Sequence, residues 1–110
     1  MRQDVSPREA VAMLERDSLL LDVREDDEWK AGHAPQAIHV PMSQMNKRAS
    51  ELPTDQTIIC ICHVGSRSAV VSEALNRSGW RAINLAGGME AWAHAGLPVV
   101  TDDEAEGSVY

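Results

Sequence analysis

The feature that most narrows the possible folds is an alternation of strand-length apolar runs with helix signals, joined by connections too long for hairpins. Leu19-Leu20-Leu21-Asp22-Val23 has strand length and suits burial on both faces. Thr57-Ile58-Ile59-Cys60-Ile61-Cys62 is the clearest strand, rich in β-branched residues. Ala37 to Val40, closed by Pro41, and Ala82 to Leu85 read as shorter strands, and Gln3 to Val5 as a brief edge strand. Between them lie helices. Ser6-Pro7-Arg8-Glu9 is a helix start, with a capping serine, a proline suited to the first turn and a glutamate that closes a capping box. Glu25 to Lys30 is helix-like and stopped by Gly32, Ser43 to Leu52 reads as a helix ended by Pro53, and Ser66 to Ser78 and Met89 to Ala95 follow. This pattern predicts an α/β domain, with a central parallel five-stranded sheet flanked by helices on both faces.

A chain of 110 residues fits one such domain and can form a core without metal or disulfide staples. The domain is expected to span residues 1–100, with residues 101–110 an acidic, solvated and disordered tail. No internal repeat or interdomain linker is visible. The net charge of −7 argues against nucleic acid as a partner, because phosphate contacts need a basic face. No apolar run approaches the roughly 20 residues that span a bilayer, so no membrane association is expected. Met1-Arg2-Gln3-Asp4 lacks a signal-peptide pattern, which makes a cytoplasmic location the default expectation. Cys60 and Cys62 form no secreted disulfide framework, and their spacing does not suit a zinc knuckle.

The most informative segment is Cys62-His63-Val64-Gly65-Ser66-Arg67-Ser68. A buried strand delivers a cysteine to its C-terminal end, a tight loop follows, and a helix begins. Ligands of open α/β sheets bind at that edge, and a helix N-terminus offers unpaired N–H groups and partial positive charge. Gly65 permits the backbone angles of an anion nest. Such surroundings lower a thiol from its usual pKa near 8.5, so Cys62 is expected to be a thiolate nucleophile able to attack a sulfane sulfur. The backbone N–H groups of His63 to Arg67 would hold the developing charge, and the forked guanidinium of Arg67 would suit an oxyanion such as thiosulfate. Cys60, two residues upstream between isoleucines, reads as an inert core residue. A Cys60–Cys62 disulfide is disfavoured by the near-limiting spacing and parallel side chains of strand residues two apart.

Cys62-x-x-Gly65-x-Arg67-Ser68 resembles the active-site loop of the rhodanese family of sulfurtransferases. Three further segments resemble that family in order: Leu21-Asp22-Val23-Arg24-Glu25, Gly32-His33-Ala34-Pro35-Gln36-Ala37-Ile38 and Gly87-Gly88-Met89-Glu90-Ala91-Trp92. Together they cover roughly residues 3 to 100. Gln36 stands where the family usually has glycine.

The resemblance implies a single rhodanese-like domain that moves sulfane sulfur from a donor such as thiosulfate to cyanide or a thiol through a Cys62 persulfide, with no metal or organic cofactor. It implies that Asp22 and Arg24 lie beside the Cys62 strand and buttress the loop, and that His33 is a structural hydrogen-bonding residue. Trp29, Trp80 and Trp92 read as packing residues. His63 stands where some members carry a cation; it either modulates the approach of an anionic donor or faces solvent without a role. Phosphatases and arsenate reductases of the same fold have a loop one residue longer than Cys62 to Arg67. A non-catalytic binding module would lack the cysteine, whereas a persulfide carrier serving one acceptor protein would retain it.

Overall fold

The apolar runs pair as a single parallel sheet. A computed structural model describes residues 4–103 and 107–109, and its strands are β1 (Asp4–Val5), β2 (Leu19–Asp22), β3 (Ala37–His39), β4 (Thr57–Ile61) and β5 (Arg81–Leu85). Their spatial order is β1-β5-β4-β2-β3, with every pairing parallel. The central strand β4 aligns Leu21 with Cys60 and Asp22 with Ile61 on one side, and Cys60 with Asn84 on the other. The five helices are α1 (Pro7–Leu14), α2 (Asp26–Ala31), α3 (Met45–Arg48), α4 (Ser66–Arg77) and α5 (Gly88–His94). The α/β architecture read from the sequence is therefore present; Gln3 of the expected edge strand lies outside the described residues.

Alternation along β4 divides the core into two layers, as the two-residue period of a strand requires. Ile59 and Ile61 join Ala10, Leu20, Leu85, Met89 and Trp92 on the face covered by α1 and α5. Ile58, Cys60 and Cys62 join Leu21, Val23, Val71 and Leu75 on the face covered by α4, where Leu52 and Ala49 close the layer. The helix start at Ser6 is built as its residues dictate: Ser6 Oγ accepts from the Glu9 N–H, and Glu9 Oε1 accepts from the Ser6 N–H. Trp92 is fully buried, with its indole N–H donating to the Pro98 carbonyl; Trp80 donates to that of Leu52.

Two segments differ from the sequence reading. The expected helix over 43–52 is broken into a 3₁₀ turn (Met42–Gln44), the four-residue α3 and a second 3₁₀ turn (Ala49–Glu51). None of these pieces has a side-chain cap, and so short a helix has no stability of its own. Packing of Met45, Ala49 and Leu52 onto the sheet sets the path instead. Residues 107–109 also depart from the expected solvated tail. Val100 pairs with His33, the N–H groups of Gly107 and Ser108 donate to the carbonyls of Val99 and Ala31, and Val109 packs against the first core layer. Gly32 makes this seating possible, since a Cβ there would stand 2.6 Å from the Ser108 carbonyl oxygen. Residues 104–106 and 110 of the expected tail lie outside the described residues.

Candidate active site

Strand β4 ends at Ile61, and the next residue is Cys62, so the sheet itself delivers the thiol to its carboxyl edge. The chain turns at once through Gly65, whose φ of 105° lies in the left-handed region open to glycine, and enters α4 at Ser66. That turn aims donors back at the sulfur. The Gly65 N–H lies 3.2 Å from Cys62 Sγ, the Ser68 N–H 3.3 Å and the Ser68 hydroxyl 3.2 Å. Burial pushes the Cys62 thiol up. The Ser68 hydroxyl and the N–H groups of Ser68, Gly65 and Arg67 outweigh it and hold the thiol below its ordinary value. Cys60, by contrast, is pushed up to about 12 by burial, with a further contribution from the charge on Cys62.

The loop is held from three directions. Helix α5 begins directly behind it, and the N–H groups of Met89 and Glu90 donate to the carbonyls of Cys62 and His63 at 2.7 and 3.0 Å. Gly88 permits that approach, because a Cβ there would stand 2.4 Å from the Cys62 carbonyl oxygen. From β5, the buried Asn84 donates to the Gly65 carbonyl and accepts from Ser68 Oγ at 2.6 Å. From β2, Asp22 and Arg24, both fully buried, form a closed pair. The Arg24 Nε and Nη2 donate to the Asp22 carboxylate at 2.8–3.1 Å, and Nη2 also reaches the Gly32 carbonyl. Asp22 is in register with Ile61, the residue before the cysteine, which seats this pair against the root of the loop.

The remaining loop side chains divide clearly. Val64 is 52% exposed at the tip, and Ser66 is exposed at the head of α4. The His63 imidazole faces Glu90, with Nε2 3.5 Å from its carboxylate. A groove of about 780 Å³ runs from Val64 along α5 past Gly87, Glu90, Ala91, Ala93 and His94. Arg67 does not extend an open fork over the loop. Its two Nη groups grip the Glu28 carboxylate at 2.7 and 2.8 Å, which raises the arginine above its already high value and holds Glu28 below the usual carboxylate range. Glu28 sits on α2 beside Trp29, whose indole is stacked between two imidazoles, His33 at 3.5 Å and His39 at 4.6 Å between ring centroids. His33 Nδ1 meets the Trp29 carbonyl at 2.8 Å and His39 Nε2 the Arg24 carbonyl at 2.7 Å; since carbonyls only accept, both nitrogens carry their protons.

The structure therefore brings Cys62, Gly65 and Arg67 together with Asp22 and Arg24 beneath them. Glu28, Asn84 and the Ser68 hydroxyl complete the arrangement, and the sequence reading assigned none of them a role. Asn84 carried a signal: it is the one polar residue in the apolar run Ala82-Ile83-Asn84-Leu85. Glu28 carried none, since an acidic residue on a short helix is ordinary.

The sequence profile of the rhodanese-like domain family matches residues 6–95. The chain belongs to that family. Among relatives of this rhodanese-like domain, a protein named "Sulfurtransferase" from Allochromatium vinosum is 39% identical over 88 residues, 79% of this chain and 82% of the relative. A Bacillus subtilis (strain 168) protein named "Putative sulfur carrier protein YrkF" is 38% identical over 74 residues, 66% of this chain and 40% of its own. The crystal structure of a rhodanese-related protein from Thermoplasma volcanium superimposes with a TM-score of 0.84 at 28% identity, covering 89% of this chain and 97% of that one. Among the described residues of the domain, no group of His, Cys, Asp and Glu has the geometry of a metal site, and no helix is long and apolar enough to cross a membrane.

Proposed function

We propose that this rhodanese-like domain is a sulfurtransferase that carries sulfane sulfur as a persulfide on Cys62. The observation that carries this reading is the set of donors aimed at one sulfur atom, from the N–H groups of Gly65 and Ser68 and the Ser68 hydroxyl. In the first half-reaction the Cys62 thiolate attacks the outer sulfur of the donor. With thiosulfate, the S–S bond breaks, its electron pair leaves with sulfite, and Cys62–S–S⁻ remains. In the second, cyanide or a thiolate attacks that terminal sulfur and the pair returns to Cys62. The loop N–H groups stabilise an anion in both forms, because the charge moves by one sulfur atom only. Asp22 and Arg24 keep the β4 end fixed and take no part in the chemistry. The reading over a phosphatase is supported by the short loop, Cys62 to Arg67, and by an arginine fork turned to Glu28 rather than toward an oxyanion.

A protein acceptor is a second reading, favoured by the exposed Val64 at the loop tip and the groove beside it, which give a partner apolar footing next to the thiol. The relative named as a sulfur carrier accords with it. Intact-mass measurement after exposure to a sulfur donor tests the chemistry common to both. A gain of about 32 Da, one sulfur atom, removed by cyanide and absent in Cys62→Ser, is expected. Failure of Cys62 to gain that mass from any sulfane donor would sink the proposal.

A further inference from the structure

Arginine and histidine are the basic side chains of the Cys62–Ser68 loop, and both are matched to carboxylates. Arg67 is gripped through both Nη groups by Glu28, and His63 faces Glu90. The Glu28 carboxylate is itself fixed, since α2 carries it and its Oε1 also accepts from the Glu25 N–H. Its side chain is 17% exposed and that of Arg67 35%. A doubly charged donor reaching the loop therefore meets a neutral pair, and must displace a tethered, two-point carboxylate to gain the fork. The sulfur does not depend on that fork. Its charge is held by loop N–H groups and the Ser68 hydroxyl.

We infer that Glu28 sets the donor preference of the site: by occupying the Arg67 fork it disfavours dianionic donors such as thiosulfate and leaves the site to low-charge sulfane donors of the alkyl persulfide class. This rests on the sulfurtransferase reading above. The two donors differ where Glu28 acts. Thiosulfate brings two negative charges and releases sulfite with both. An alkyl persulfide, R–S–SH, is attacked at its outer sulfur, its S–S bond breaks, and R–S⁻ departs with one charge, leaving Cys62–S–SH. Glu28 is thus a positioning residue that acts through Arg67.

The test is the ratio of single-turnover rate constants for sulfur loading of Cys62 by thiosulfate and by 2-hydroxyethyl persulfide, whose organic part is uncharged, followed by intact mass. Glu28→Gln removes the charge but keeps an oxygen acceptor for the Glu25 N–H, so α2 retains its cap. The ratio is expected to move toward thiosulfate by about tenfold, the scale of one charge-assisted contact at a part-exposed site, and mainly through tighter apparent binding of thiosulfate. Glu28→Asp, with a shorter reach, should move it less in the same direction. Adding Arg67→Gln to Glu28→Gln should return the ratio to its starting side. An unchanged ratio in Glu28→Gln, or a shift that persists without Arg67, overturns the inference while leaving the sulfurtransferase reading intact. If the parent protein loads no sulfur from either donor, that reading fails and the inference falls with it.

Discussion

The Ser68 hydroxyl has one proton and two claimants. Asn84 Oδ1 lies 2.6 Å away and Cys62 Sγ 3.2 Å away, and the Asn84 amide cannot turn over, because its Nδ2 donates to the Gly65 carbonyl. While Cys62 is a thiol, the serine proton belongs to Asn84 and the serine oxygen can accept from S–H. Ionisation turns the hydroxyl to the sulfur at the expense of the asparagine. A hydrogen bond to a charged group is worth about 1.5–3 kcal/mol and one between neutral groups about 1, so the exchange favours the thiolate by roughly 1 kcal/mol. Ser68→Ala should accordingly raise the Cys62 pKa, since the hydroxyl that favours the thiolate is gone. It should also destabilise the fold by about 1–3 kcal/mol, since the buried Asn84 carbonyl loses its donor. The assay is the rate of iodoacetamide alkylation against pH, with Cys62→Ser as the blank. The wild-type midpoint lies below that of an ordinary thiol, and reactivity falls as pH drops through it. An identical midpoint in Ser68→Ala would show that backbone N–H groups alone hold the thiolate and that the hydroxyl never leaves Asn84.

Three further outcomes follow from the same geometry. Gly88→Ala puts a Cβ 2.4 Å from the Cys62 carbonyl oxygen at a φ of +60°, and should lower stability to chemical denaturation by about 2–4 kcal/mol while slowing sulfur loading. Asp22→Asn leaves the fully buried Arg24 without its counter-charge and should cost about 3–5 kcal/mol in denaturant titrations; a loss under 1 kcal/mol would mean the pair is dispensable. Cys60, whose thiol lies near 12 when folded against about 8.5 when unfolded, stays neutral and buried at pH 8, so alkylation of the native protein should add one adduct and of the unfolded protein two. Because that shift is upward, the contribution of Cys60 to stability is intact below about pH 8.5 and is lost as pH climbs toward 12.

The strands were legible because their residues act locally. Leu19 to Leu21 and Ile58 to Ile61 are apolar on both faces, which a parallel sheet covered by helices demands. The cysteine loop was legible for the same reason, since a thiol, a glycine and a helix start lie within a few residues of each other. What escaped the sequence depends on contacts between distant segments. Glu28 meets Arg67 across 39 positions and Asn84 meets Ser68 across 16, and neither spacing has a periodic signature. The fork of Arg67, expected to suit an oxyanion donor, holds the protein's own Glu28 carboxylate at two points. Met45, Ala49 and Leu52 do keep a helical spacing, yet the 43–52 segment is broken into short pieces without side-chain caps, and residues 107–109 are seated through backbone contacts at Gly32 that composition does not reveal.

The indole of Trp29 sits one residue from Glu28 and is sandwiched by the rings of His33 and His39. Its emission is therefore tied to the posture of α2. Any donor that pries Arg67 from its carboxylate tugs on the helix that bears this fluorophore, whereas Trp80 and Trp92 are anchored to the carbonyls of Leu52 and Pro98 elsewhere in the fold. With those two replaced by phenylalanine, a change in Trp29 emission on adding a donor would report displacement of Glu28 in real time without a label.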